Sequence, residues 1–299
     1  RQMCIRDRHE NDREATAADL KWLADPAEEP EPFGDGGTKI AWNTFNVVSI
    51  YPNGNPVMSD VNQRWVGDCC ACAVIASMAY LYPRFVKHII KDNMDKTYTV
   101  TMYDPKGKQI SVGVGGDYFI GNSGDLGALG GRNKEVTWAT ILEKAMIKWN
   151  QIYQGSSNVG GIGTEYVSAI FTGDGESVGF GANALIAEDL QRAVEVSLKQ
   201  GRLVIGGFTR SGEQVDQNWQ TTSGHAFTFI LPDDNTHLFK MRNPWGGTTD
   251  GVMKVKDDGR IPPMIDLRIC APGAAKNYGV GPDLGLSLIH ISEPTRLDV

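Results

Sequence analysis

Helical periodicity crowds into the first half of this chain, and short apolar runs separated by turn residues crowd into the second. The sequence therefore predicts an α+β fold in two lobes, divided near residues 155–180. A Pro/Glu stretch followed by glycines sets the N-terminal residues apart from the globular part, which begins near Lys39.

Taken in order, residues 9–37 are acidic, with a short helical pattern at Ala15–Leu23 and a linker running from Pro26 to Pro32 and on to Gly34, Gly36 and Gly37. A long helix is expected from Asp68 to about Lys91, with apolar positions at Val74, Ile75, Met78, Leu81, Phe85 and Ile89, and with Asp68 able to cap its start. Tyr98–Tyr103 and Gln109–Val114 alternate as a strand pair around the turn Asp104-Pro105-Lys106-Gly107. A Gly-rich loop, Gly113 to Gly131, leads to a second helix at about Glu135–Asn150, whose stripe is Val136, Ile141, Leu142, Ala145 and Trp149. A third helix, about Ile186–Gln200, ends at Gly201 and feeds a strand at Leu203–Phe208. Further strands are expected at Ala226–Leu231, Leu238–Asn243 and Val252–Val255, with Asp233-Asp234-Asn235 as a turn. The resulting division is 1–38 as a non-core segment, 39–160 as a helical lobe, 161–275 as a β lobe and 276–299 as a tail. Residues 1–8 and 287–299 resemble translated adapter read-through and are set aside as sequencing artefact, so the natural termini are expected to be missing.

The chain has 299 residues, 41% of them hydrophobic and 22% charged, with 29 Lys+Arg against 36 Asp+Glu for a net charge of −7. An acidic chain of this kind lacks the clustered positive charge that nucleic-acid phosphates require, so no nucleic-acid partner is expected. No apolar run reaches the roughly 18 residues of a membrane span. Five cysteines do not make a disulfide scaffold in a chain of this length, and three of them crowd at Cys69, Cys70 and Cys72. Free thiols favour a reducing compartment such as the cytoplasm, although an active-site cysteine also works outside the cell.

The chemistry is expected at Cys69. It falls in the first turn of the long helix, where unpaired N–H groups and the positive end of the dipole favour a thiolate. A nucleophilic cysteine also needs a base and a group to orient that base. His225 heads a strand after Gly224, and Asn243 ends the neighbouring strand 18 residues later, a spacing that suits two strands joined by a hairpin. Each feature has an ordinary structural explanation. Cys70 and Cys72 are expected as small core residues, His88, His237 and His290 as structural, and an Asn before a Pro is commonly a turn residue. A redox reading of Cys69-Cys70-Ala71-Cys72 fails for want of a strand leading into it, since Tyr51 to Gln63 is rich in turn residues. A zinc site fails because consecutive helical residues cannot supply tetrahedral ligands.

Gln63-Arg64-Trp65-Val66-Gly67-Asp68-Cys69 resembles the Gln-Gly-x-x-Gly-Asp-Cys segment of calpain-type cysteine proteases. Ser223-Gly224-His225-Ala226-Phe227 is similar to their Gly-His-Ala-aromatic motif, and Arg242-Asn243-Pro244-Trp245-Gly246 to their Arg-Asn-Pro-Trp-Gly. Trp138 to Ala145 resembles the helix that begins Trp-x-x-Leu-Leu-Glu-Lys-Ala. The resemblance spans roughly residues 39–270 and implies a papain-like architecture, with a helical lobe facing a β lobe across a substrate cleft.

It also implies an endopeptidase acting on protein or peptide substrates through a thioester, with Cys69 as nucleophile, His225 as base, Asn243 orienting the imidazole, Gln63 donating to the oxyanion and Trp245 covering the His225–Asn243 bond. The chemistry itself implies no cofactor. The family pattern would make Asp60 and Glu143 possible calcium ligands; otherwise they are a loop carboxylate and a helix-surface residue. A second calcium site would fall poorly on Thr248-Thr249, next to Asp250. Two departures stand out: Cys70 where the family carries Trp, and Arg64 where it carries Gly. The alternative they leave open is a papain-fold binding module impaired in catalysis.

Overall fold

A computed structural model describes residues 13–35, 38–39, 41–121, 123–181, 186–208, 211–212, 214–216, 219–220, 222–231, 239–246, 251–253 and 265–280. Both terminal segments read as artefact, the turn at Asp233–Asn235, His237, His290 and the Thr248–Asp250 stretch lie outside the described residues.

The chain opens with α1 (Ala17–Ala24), where Thr16 Oγ1 accepts from the Asp19 N–H at 3.1 Å and the Asp19 carboxylate accepts from the Thr16 N–H at 2.8 Å. The short hairpin of β1 (Gly34–Asp35) and β2 (Thr38–Lys39) precedes β3 (Ala41–Thr44). After a 3-10 turn at Met58–Asp60 come α2 (Cys69–Leu81) and α3 (Pro83–Ile89). An antiparallel sheet follows, β4 (Ile90–Asp92), β5 (Tyr98–Tyr103) and β6 (Gln109–Val114), and then β7 (Asp117–Ile120), which pairs back with β3. Helices α4 (Trp138–Gln154) and α5 (Thr164–Thr172) complete this part.

Next come β8 (Ser177–Phe180), α6 (Ala187–Lys199), β9 (Leu203–Phe208), a small hairpin of β10 (Gln214–Asp216) with β11 (Trp219–Gln220), β12 (Ala226–Ile230), β13 (Phe239–Arg242), β14 (Gly251–Met253) and β15 (Ile265–Cys270). Six of these strands form one antiparallel sheet in the order β14-β13-β12-β9-β15-β8. The fold is α+β. No single helix among the described residues is long and apolar enough to cross a membrane.

The helix expected from Asp68 to about Lys91 is in fact two helices that meet at a 114° bend. Pro83 has no N–H to continue the i→i−4 ladder, and its ring clashes with the preceding turn. It is tolerated as the first residue of α3, where that N–H would have no helical partner. Helix α2 is apolar all round and is buried from Ala71 to Leu81, packed on β9, β12 and α5. That packing fixes its N-terminus, and Cys69 with it, against the large sheet.

Helix α4 starts three residues later than its periodicity suggests, because Thr137 Oγ1 accepts from the Ala139 N–H at 3.2 Å and so sets the cap. Two of its lysines point inward. The Lys144 ammonium pairs with Glu29, donates to Asp117 O and lies 4.7 Å from the Trp42 ring centre. The Lys148 ammonium donates to Asp25 O and Gly113 O, both at 2.8 Å, beneath the Trp22 ring.

These contacts correct the expectation that residues 1–38 stand outside the core, as far as those residues are described. Leu23 is fully buried, and Asp25 to Glu29 are clamped onto α4. The backbones of this strap and of β6 approach so closely that a Cβ on Gly113 would stand 2.4 Å from Ala24 O, and one on Gly115 2.5 Å from Pro26 O.

Candidate active site

Cys69 is the first residue of α2. The Asp68 side chain does not cap this helix, contrary to the expectation from sequence, so the first-turn N–H groups are left facing the sulfur's surroundings. The sulfur lies 3.9 Å from Gly224 O, the residue before His225. The Cys69 thiol is held down to about 4. The adjacent Cys70 thiol has the largest effect, and the His225 ring and the Ala226 N–H add to it against the opposing effect of burial.

Strands β12 and β13 pair with Thr228 opposite Arg242, which brings the head of one strand beside the end of the other. His225 Nε2 and Asn243 Oδ1 are thereby 2.7 Å apart, both residues buried. The same oxygen accepts from the Trp245 N–H at 3.0 Å, which identifies it as the carboxamide oxygen. His225 Nε2 must then carry the hydrogen, leaving Nδ1 as the basic nitrogen on the sulfur side. The half-exposed Trp245 ring lies over the imidazole at 4.3 Å and 31°, and Phe227 meets it edge-on at 5.0 Å. Gly246 closes the turn at φ +75°, where a Cβ would also stand 1.9 Å from Asn62 Oδ1.

The segment that leads to Cys69 is tied to this turn. The Gln63 N–H donates to Pro244 O at 2.7 Å and Arg242 Nη2 donates to Val61 O at 2.6 Å. Gln63 Nε2 donates to Val66 O at 2.8 Å, which uses one of its two hydrogens. Arg64 turns away from the cleft, its guanidinium donating to Gly131 O at 2.6 Å, so the larger residue is accommodated by the Gly-rich loop. A cavity of about 640 Å³ opens beside His225, lined among others by Cys70, Thr164, Gly207, Phe208 and Leu267.

Beneath Cys69 lie two buried acids that the sequence does not announce. Asp68 accepts from the Cys72 thiol at 3.3 Å, and burial pushes its carboxyl up to about 7, opposed by Cys72 and by the facing Glu143. Glu143 is pushed well above the carboxylate range, first by burial and then by the Asp68 charge, against the Leu129 N–H that donates to it at 3.0 Å. The one legible hint was an i,i+4 pair, Asp68 and Cys72, at the head of an apolar helix.

The two residues expected as possible calcium ligands, Asp60 and Glu143, are both buried. Asp60 is 2% exposed and its carboxylate accepts from Asn53 Nδ2 at 2.7 Å, Trp138 Nε1 at 2.7 Å and the Val57 N–H at 3.2 Å. Three N–H groups thus already converge on the Asp60 carboxylate, whose oxygen lone pairs a hard cation would need. Glu143 is also not a helix-surface residue, being 1% exposed. Among the described residues, no three His, Cys, Asp or Glu side chains converge where they could hold a metal ion.

No curated protein matches the sequence. The model of the calpain family cysteine protease matches residues 41–251, more than two thirds of the chain. That span includes Gln63, Cys69, His225 and Asn243. The chain belongs to the calpain family of cysteine proteases.

Proposed function

We propose that this chain is a cysteine endopeptidase that hydrolyses peptide bonds through a thioester acyl-enzyme. The observation that carries the reading is one imidazole held between a sulfur and a carboxamide, with Asn243 Oδ1 fixing Nε2 at 2.7 Å. His225 Nδ1 takes the Cys69 proton, and the thiolate attacks the scissile carbonyl carbon. The Cys69 N–H and the second Nε2 hydrogen of Gln63 are the donors nearest in sequence and fold to the oxyanion that forms. The imidazolium then gives its proton to the departing amine as the C–N bond breaks, leaving the acyl group on sulfur. A water molecule, deprotonated by His225, attacks the thioester, and the carboxylic acid leaves as the thiol re-forms.

The cavity beside His225 supplies the seat for a substrate side chain next to the scissile bond. Hydrolysis of a quenched-fluorescent peptide library by the full chain tests the reading. Cys69→Ala and His225→Ala should each lower turnover by roughly a thousandfold or more. Peptide binding without any turnover by the wild-type chain would favour the binding-module alternative.

A further inference from the structure

We propose that Asp266 sets substrate specificity: the cavity beside His225 takes a Lys or Arg side chain of the substrate, and the Asp266 carboxylate accepts from its cationic end. This rests on the chain being an endopeptidase. The cavity follows from the register of the large sheet. Residues directly opposite each other on paired strands share a face. Ala226 of β12 stands opposite Gly207 of β9, and Gly207 opposite Asp266 of β15. In the next row, Thr228 stands opposite Ile205, Ile205 opposite Arg268, and Arg268 opposite Gly179 of β8. Thr228 Oγ1 donates to Ala73 O at 2.7 Å, so this is the face that packs on α2. The row that begins beside His225 is nearly bare. Ala226 carries only a methyl group, and Gly207 stays a glycine because a Cβ there would stand 2.7 Å from His225 O. A long side chain entering beside His225 therefore has a clear path across β12 and β9 to β15, where two strand spacings place Asp266 roughly 10 Å from Ala226.

The chemistry along this path matches a long cation. Its near part, Ala226 and Ile205, is apolar and suits the aliphatic stem of Lys or Arg. Its far wall carries Asp266 and Arg268. Arg268 is engaged elsewhere: its Nε lies 3.7 Å from Glu165 Oε2 of α5, and its Nη1 lies 3.0 Å from where a Cβ on Gly179 would stand. Among the described residues at this wall, two carboxylates thus face one guanidinium, a balance that favours a substrate cation over an anion. Asp266 is exposed, and a carboxylate has about four lone-pair sites, so it accepts from a substrate cation in addition to its contacts within the chain. His225 stands at the opposite end of the path, which keeps the substrate cation apart from the imidazolium that forms during the reaction. The net charge of −7 draws basic peptides to the chain as a whole.

The test is hydrolysis of fluorogenic peptides, varied at each position flanking the cut, by the full chain as wild type, Asp266→Asn, Asp266→Glu and Asp266→Lys, with rates normalised by active-site titration. At one flanking position the wild type should cleave Lys or Arg peptides roughly tenfold better in kcat/KM than peptides with Met, which is similar in length but uncharged. Asp266→Asn, nearly the same in shape, should bring that ratio close to one, and Asp266→Glu should keep most of it. Asp266→Lys should reverse the preference toward Glu at the same position. A wild-type ratio near one at every position, or a preference for Lys and Arg that Asp266→Asn leaves unchanged, would overturn the proposal while leaving the endopeptidase reading in place. Absence of turnover by the wild type on every peptide would remove both.

Discussion

Replacing Asn243 by Ala removes one buried oxygen that serves two partners, the His225 ring at 2.7 Å and the Trp245 N–H at 3.0 Å. The Trp245 N–H loses its acceptor, and the imidazole loses the contact that fixes both its tautomer and its tilt. Losing a buried hydrogen bond while leaving its partner unsatisfied costs about 1–3 kcal/mol. Two such losses, one of them at the reacting ring, place the effect on the barrier at about 2–3 kcal/mol, or roughly a 30- to 150-fold fall in kcat/KM. Because the loss falls on the catalytic base and not on the substrate seat, kcat should carry nearly all of it. Fluorogenic peptide hydrolysis normalised by active-site titration measures the change, and circular dichroism checks that the fold persists. Asn243→Asp preserves an acceptor and should retain most of the rate. A fall of less than about threefold for the alanine variant would mean that another group orients His225.

The strap clamp makes a pH prediction. Burial lowers Lys148 to about 8, below its ordinary 10.5, so between those values the unfolded chain binds more protons than the folded one and stability rises with pH. The rise should reach about 3 kcal/mol, and urea midpoints at pH 7.5 and 10 should show it in the wild type and lose it in Lys148→Met; equal slopes would refute the assignment. For Asp60, the three N–H donors predict that Asp60→Asn strands one of them and lowers stability by about 1–3 kcal/mol by chemical denaturation. Peptide hydrolysis in excess chelator should match that in added calcium, and a manyfold rise with calcium would contradict the reading of that site. Gly246→Ala combines a left-handed backbone with a clash against Asn62, so it should destabilise the chain and cut turnover together. Wild-type behaviour at that position would show that the turn relaxes freely.

The elements that were readable in the sequence are those whose pattern follows from one-sided burial. Tyr98–Tyr103, Gln109–Val114 and Leu203–Phe208 alternate or run apolar over their whole observed length. Cys69, His225 and Asn243 were readable as a group because each sits at an element end, marked by short distinctive runs of residues. What was not readable depended on side-chain direction. Lys144 and Lys148 look like the solvent face of α4, yet turn inward to backbone carbonyls and aromatic rings. The strap they hold, Asp25 to Glu29, is held through backbone carbonyls and the Glu29 carboxylate, with Trp22, Leu23 and Phe33 packed on either side of it. Asp68 reads as a helix cap, but its carboxylate turns inward to Cys72. Only the three-dimensional arrangement shows that Asp60 meets N–H donors.

The central claim, that the Cys69 sulfur is the activated nucleophile, is tested most directly by locating the covalent adduct of an epoxide-type cysteine-protease inhibitor by peptide mapping. The account predicts one inhibitor per chain, attached to Cys69 and absent from Cys69→Ala. An adduct on Cys70 or Cys72, or labelling of Cys69→Ala at the wild-type rate, would contradict it.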